Sequence, residues 1–261
     1  MTEMLLYLYA ESPIHAGGSE SLGALDLPVQ REATTRYPVI WGQSLKGALR
    51  QAARDAGWNE RTEITPIFGS DVRGEDNNGL LHGGDATGGD EPRDRATTPG
   101  RLHVGDAQLV AIPVPTLRRT FAWATSQLAL TRLERKYRRL VPGGTPAPPS
   151  TPTVAAGVGA APSTTWANPS RAARSEALGP CLVDLGTAPD STVVAWAGRL
   201  ADDLLAGAVD FGQLAEKLRE DLLLVGSDIM PTLLSECTEF VARVQLTGEK
   251  TVAHGPFYSE Y

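Results

Sequence analysis

The sequence predicts an α+β fold, and three observations carry that prediction. Short apolar or alternating runs suited to strands interleave with stretches of helical period. The chain is 261 residues long and 41% hydrophobic, enough for one large core. No apolar run approaches the ~18 residues of a membrane-spanning helix, so a soluble protein with no membrane partner is expected.

Taken in order, Leu5–Tyr9 reads as a buried first strand, closed by Glu11-Ser12-Pro13. A glycine-rich loop, His15 to Gly23, leads into Asp26-Leu-Pro-Val-Gln-Arg-Glu32, which is too polar and proline-interrupted for core. Tyr37–Trp41 reads as a second extended piece. A helix follows over about residues 45–56: Ser44 is placed as its N-cap, Leu45, Ala48, Leu49 and Ala52 space an apolar face, and Gly57 stands at the C-terminal cap. Residues 71–100 hold seven glycines and seven acidic residues without apolar periodicity, the composition of a long mobile loop.

Leu102–Pro113 predicts a strand pair around Gly105-Asp106, and Phe121–Leu133 predicts a helix with Phe121, Ala124, Leu128 and Leu130 facing inward. That helix runs into Arg132–Arg139, a run with five basic residues and one acidic. Residues 142–170 carry seven prolines among Gly, Ala, Ser and Thr, a linker or disordered insertion. Leu200–Leu224 predicts one or two helices with acidic faces, and Phe240–Leu246 an alternating strand.

Composition excludes several function classes. Two cysteines, Cys181 and Cys237, without clustered Cys/His spacing, argue against structural zinc and a disulfide framework. Asp76-Asn-Asn-Gly79 lacks the ligand spacing of an EF-hand, and His82-Gly-Gly-Asp85 is a single degenerate calcium-repeat unit. No phosphate-binding glycine loop, serine-hydrolase elbow or zinc-peptidase motif occurs. The absence of a basic, cleavable leader predicts a cytoplasmic location. Net charge is −7, but it is unevenly spread: residues 1–174 hold 19 basic and 17 acidic side chains, and residues 175–261 hold 5 and 14. A polyanion should therefore meet the first part.

Four groups of residues are candidates for that contact. Lys46, Arg50 and Arg54 recur every four residues and form one cationic stripe, beside a helix N-terminus at Ser44 whose N–H groups attract phosphate. The plainer reading is a solvated helix face. Asp26 with His15 is the minimal equipment for positioning a metal-bound water or a ribose hydroxyl during phosphodiester cleavage, or else a turn aspartate and a surface histidine. Arg118, Arg119 and the 132–139 run suit RNA, or stabilise a helix C-terminus. Tyr37, Trp41, Phe121 and Trp123 have the right chemistry for base stacking, though aromatics at such spacing are more often core.

Six strings in this order resemble one family: Ser12-Pro-Ile-His-Ala-Gly17, Leu25-Asp-Leu-Pro-Val-Gln-Arg-Glu32, Ser44-Leu-Lys-Gly-Ala-Leu-Arg50, Ile67-Phe-Gly69, Gly105-Asp-Ala-Gln-Leu109 and Pro113–Trp123. They resemble the RAMP superfamily of CRISPR-associated proteins, most closely the repeated backbone subunit of the type III-B effector complex. Leu222–Tyr261 is similar to the family's later segment.

The resemblance implies a single domain over residues 1–261 with a ferredoxin-like (RRM-like) core. Its inserts would be the mobile loop at about 71–100, the insertion at about 142–175, and an acidic helical and thumb-like region at about 176–261. It implies a protein that binds CRISPR guide RNA through Lys46, Arg50, Arg54 and Ser44, with Arg118 and Arg119 as further RNA contacts. Copies of the chain would stack helically with a large polymerase-like subunit and small helical subunits. Target single-stranded RNA would be cut at regular intervals with a divalent metal, Mg2+ or Mn2+. Asp26 matches the family's catalytic and metal-binding loop aspartate, with His15 assisting. Glu260 and Tyr261 are the nearest matches to the acidic and aromatic residues of the late segment, where relatives continue into another strand. The rival expectations are an inactive RNA-binding scaffold of the same complex and a small-molecule acid–base enzyme built on His15 and Asp26.

Overall fold

The computed structural model describes residues 2–17, 29–70, 98–140, 147–168, 170, 175–207, 209–238, 241–243 and 258–260. The chain divides into two compact units, one of residues 1–39 with 108–261, the other of residues 40–107. Helices and strands are mixed, as the sequence predicts.

Chain order is β1 (Val39–Ile40), α1 (Gly42–Asp55), α2 (Thr65–Phe68), β2 (Ala107–Gln108), β3 (Ile112–Pro115), β4 (Phe121–Ser126), α3 (Gln127–Leu140) and β5 (Gly159–Ala160). It continues through β6 (Ser175–Leu178), β7 (Cys181–Asp184), α4 (Ser191–Gly207), α5 (Gly212–Asp221), β8 (Leu222–Val225), α6 (Met230–Glu236), β9 (Val241–Arg243) and β10 (Tyr258–Glu260).

The larger unit is built on a four-stranded sheet of order β3-β4-β8-β5. The central pair, β4 and β8, is parallel, and both outer strands run antiparallel to their neighbours. All four residues of β8 are buried, because helices cover the sheet on both sides. Strand alternation divides them. Leu223 and Val225 join Val114, Ala122 and Ala124 against Met230 and Leu233 of α6. Leu222 and Leu224 meet Leu130, Leu133 and Tyr137 of α3 and Trp196 of α4. Truncating Leu223 or Leu224 to alanine in such a core costs about 2–5 kcal/mol.

Several sequence expectations are corrected here. Residues 5–9 form no strand: Leu5 and Tyr7 pack on the α3/α4 side, while Leu6 and Leu8 are exposed. Side chains rather than a ladder hold this segment, since the Tyr7 hydroxyl bonds to Tyr137 and Asp203. The predicted helix at Phe121–Leu133 is strand β4 up to Ser126 and helix only from Gln127. Ala122 and Ala124 point into the α6 side and Trp123 to the other, so a central strand filled with alanines imitates helical composition.

Residues 102–106 are not a strand, because Asp106 is engaged in capping α1, as described below. The proline-rich stretch is not all linker. Within 147–168, Ala161, Trp166 and Ala167 are core residues, and Gly159–Ala160 forms β5. The end of the predicted 200–224 helical stretch is the buried strand β8. Residues 71–97 lie outside the described residues, as do 141–146.

Candidate nucleic-acid interface

Asp26 itself lies outside the described residues, but both ends of its loop are described. Gly17 and Val29 face each other in an antiparallel bridge, and the Gln30 N–H donates to the Ala16 carbonyl at 2.8 Å. The segment leaving this neck is fastened by Arg31, whose guanidinium donates to the Leu234 carbonyl at 3.3 Å. Glu32 is fastened more strongly, accepting two bonds from Arg132 of α3 at 2.9 and 2.8 Å. Burial pushes the Glu32 carboxyl upward, but the bonds from Arg132 and Thr35 outweigh it and hold the group below its ordinary range. Arg132 also stacks over the Tyr37 ring at 5.8 Å, and the Tyr37 hydroxyl meets Ser126 at 2.8 Å. His15 lies half-buried two residues before the neck. The described residues on both sides of the Asp26 segment are thus fixed to the fold.

In the smaller unit, α1 starts at Gly42, with Trp41 at the N-cap position and no side-chain cap of its own. The cap comes from Asp106, whose Oδ1 accepts the Gly42 N–H at 2.7 Å. Ser44 is therefore an exposed residue of the first turn and not the N-cap, and a carboxylate already sits at the end expected to attract phosphate. Gly42 must be glycine, since a Cβ would lie 2.2 Å from the Val104 carbonyl oxygen. The C-terminus follows expectation: Gly57 adopts φ +81°, and its N–H closes on the Arg54 carbonyl.

The faces of α1 are a correction too. Gly42 and Ala53 are its buried residues, while Ala48, Leu49 and Ala52 of the predicted apolar face are exposed. Lys46 is half-buried and Arg50 only 15% exposed. Arg50 and Arg54 converge on Glu60, at 2.5 and 2.9 Å. Bonds from Arg54 and then Arg50 hold the Glu60 carboxyl below its usual range. Glu60 starts the turn after Asn59, whose side chain caps Arg61 and Thr62. The stripe is real, but two of its three cations share an acid, which leaves Lys46 and the rim of Arg54 as its outward charge.

Arg118 and Arg119 occupy the turn between β3 and β4 and are engaged internally. Arg118 pairs with nearly buried Glu176 at 2.7 Å, donates to the Thr165 carbonyl at 2.7 Å, and lies over the Trp166 ring. Arg119 reaches Glu220 at 3.0 Å and Asp221 at 3.3 Å. Asp221 is fully buried and also accepts from Lys217 at 2.7 Å and from Trp166 Nε1 at 2.9 Å. Both arginines therefore fasten the fold, through carboxylates 58 and 102 positions away along the chain. Sequence reasoning also missed Asp106 and Glu60, which no local spacing marks as partners of α1.

Glu260 lies in β10, opposite Val241 of β9, and Tyr261 lies outside the described residues. Among the described residues no three His, Cys, Asp or Glu side chains gather to hold a metal ion, and no helix is long and apolar enough to cross a membrane. Trp41 is exposed, Tyr37 is core, and Phe121 and Trp123 are half-buried edge-to-face neighbours at 5.6 Å.

Comparison with known proteins gives consistent relatives. The chain is 35% identical over 136 residues to the CRISPR system Cmr endoribonuclease Cmr4 of Pyrococcus furiosus, a match covering 52% of this chain and 39% of that protein's length. Its fold resembles the crystal structure of oligomeric Cmr4 from Pyrococcus furiosus, with TM-score 0.56 and 22% identity over 88% of this chain and 72% of that one. It also resembles a chain of the type III-B Cmr-beta complex bound to cognate target RNA, with TM-score 0.54 and 17% identity over 95% and 75% of the two chains. The profile of the RAMP superfamily matches residues 7–261, so the chain belongs to the RAMP superfamily.

Proposed function

We propose that this protein is a backbone subunit of a type III-B CRISPR RNA-guided effector complex, binding guide RNA and cutting complementary target RNA. The observation that carries the reading is the 35% identity, over about half of this chain, to a protein named as an endoribonuclease of that system. The sheet order supports the ferredoxin-like part of the reading, since a central parallel pair flanked by antiparallel strands is its pattern of directions. Copies of the chain would stack along the guide beside other subunits inside the cell, with Lys46, Ser44 and Arg54 gripping phosphates and Arg50 holding Glu60 in place.

In this proposal cleavage belongs to the segment between Gly17 and Val29, which carries Asp26. Asp26 would orient a ribose 2′-OH and take its proton as the oxygen attacks the adjacent phosphorus. The bond to the 5′-oxygen breaks, that oxygen gains a proton, and the products are a cyclic phosphate and a free 5′-hydroxyl. His15, at the base of the same loop, suits the protonation of the leaving oxygen. A divalent cation, Mg2+ or Mn2+, belongs to the proposal as charge neutralisation at the phosphate, with Asp26 as its carboxylate ligand.

The test is the assembled complex carrying Asp26→Asn, followed with end-labelled target RNA in the presence of magnesium. Retained guide binding with loss of the regular cuts is expected. Unchanged cutting removes Asp26 from the reaction, and a wild-type complex that binds target without cutting it makes the chain a scaffold.

A further inference from the structure

Most described arginines of the larger unit are neutralised within the fold. Arg118, Arg119, Arg132, Arg199 and Arg219 each reach a carboxylate, at distances from 2.6 to 3.3 Å. Arg135 and Arg139 of α3 differ: both are exposed, and among the described residues neither forms an ion pair or hydrogen bond with a carboxylate, although, after the bonds from Thr151 and Arg138, the Arg135 charge helps hold Glu134 below its usual range. The only nearby acid on the helix, Glu134, is occupied by Thr151 and Arg138. Arg135 and Arg139 lie one turn apart on the side of α3 away from its buried residues Leu130, Leu133 and Tyr137.

Helix electrostatics accounts for Arg139, which stands in the last turn of α3, but not for Arg135. The favourable effect of a cation at a helix C-terminus falls off within the last turn, and Arg135 stands before it. Like charges one turn apart also weaken a helix. Their separation along the axis, about 6 Å, is close to the repeat between neighbouring phosphates of an extended strand. One turn before Arg135, the same helix holds Glu32 through Arg132, at the base of the loop that carries Asp26. Exposed Arg36 ends the turn between Glu32 and Tyr37.

We infer that Arg135 and Arg139 form a phosphate-binding track for single-stranded RNA, leading along the outer face of α3 toward the neck of the Asp26 loop. The inference rests on the RNA reading above and adds to it a second contact, separate from α1. The chemistry recognised is the sugar–phosphate backbone without base preference.

The test uses the full chain and a fluorescein-labelled oligouridine, with anisotropy titrations over a series of KCl concentrations. Variants are Arg135→Gln/Arg139→Gln and, separately, Lys46→Gln/Arg54→Gln, each checked for an unchanged circular-dichroism melt. Each phosphate contact contributes about 0.7 to the slope of log affinity against log salt for a single strand, so the α3 variant should lose about 1.4. In the assembled complex, loss confined to the complementary strand assigns the track to the target, and loss of the guide assigns it to the guide. An α3 variant with unchanged affinity and slope, beside a weakened α1 variant, overturns the track and leaves the RNA reading standing. A wild-type chain and complex that bind no RNA overturn both. An α3 variant that loses only binding to polyglutamate makes the patch a protein contact and also overturns the track.

Discussion

Trp166 and Asp221 meet where neither is exposed to solvent, the indole Nε1 donating to Asp221 Oδ1 at 2.9 Å. The other carboxylate oxygen takes Lys217 and Arg119, so a buried charge is matched by three donors. Trp166→Phe keeps most of the apolar volume and removes one of them. It should lower unfolding stability by about 1–3 kcal/mol, read as a lower urea midpoint. Asp221→Ala, which strands the donors, should cost more than Trp166→Phe; a smaller loss would contradict the placement.

The Arg118–Glu176 pair makes a second prediction. Glu176 is 3% exposed and Arg118 22%. Arg118→Ala should destabilise by about 3 kcal/mol in urea unfolding, because it takes the ion-pair partner from a nearly buried carboxylate. Replacing Arg118 with Met and Glu176 with Leu together should recover much of the loss. A double variant whose loss equals the sum of those of Arg118→Met and Glu176→Leu taken singly would show that the pair is not coupled.

At the start of α1, Asp106→Ala should cost about 1 kcal/mol by removing the acceptor and the negative charge at the helix N-terminus. Gly42→Ala should cost more, since its Cβ has no room beside the Val104 carbonyl. Thermal melts followed by circular dichroism would rank the two, and Ser44→Ala serves as a control expected to lie near wild type.

Acid stability should depend on Glu32. Its folded-state carboxyl titrates below the ordinary value near 4.5, so its contribution is complete above that pH and is lost as pH falls through the lower folded-state value. Urea midpoints measured from neutral pH into the acid range should therefore show wild type above Glu32→Gln at neutral pH, with the gap closing as the solution is acidified. A constant gap would mean that the Arg132 bond does not govern the titration.

How much of this was legible in the sequence depended on whether the deciding partner was local. The end of α1 was readable because Gly57 does its work within four residues of the chain. The inward face of the same helix was not. Apolar spacing pointed to Leu45, Ala48, Leu49 and Ala52, whereas the covered side holds Gly42, Ala53 and an arginine tied to Glu60. Hydrophobic period reports composition, and the acid that lets Arg50 turn inward lies beyond the helix. Strand β4 failed for a related reason: the two alanines facing α6 fit there only because Met230 and Leu233, from far along the chain, fill the remaining space.

The candidate site divides the same way. The cationic stripe of α1 could be found by counting fours, while the roles of Arg118 and Arg119 could not, because their carboxylates come from elements that fold back from the acidic half of the chain. Arg135 and Arg139, which form no ion pair among the described residues, lay in the basic run that the sequence marked, but only the fold separates them from Arg132 and Arg138, which are paired.

In the smaller unit, the Ser70 N–H donates to the Thr98 carbonyl at 2.9 Å, and the Thr98 N–H donates to the Ser70 hydroxyl at 2.9 Å. The two described positions that flank residues 71–97 are therefore tied to each other. Closing such a gap with a shorter or longer span changes chain entropy only slowly. The distance between Ser70 and Thr98 is thus set by bonds of the smaller unit itself and does not rest on the residues that join them.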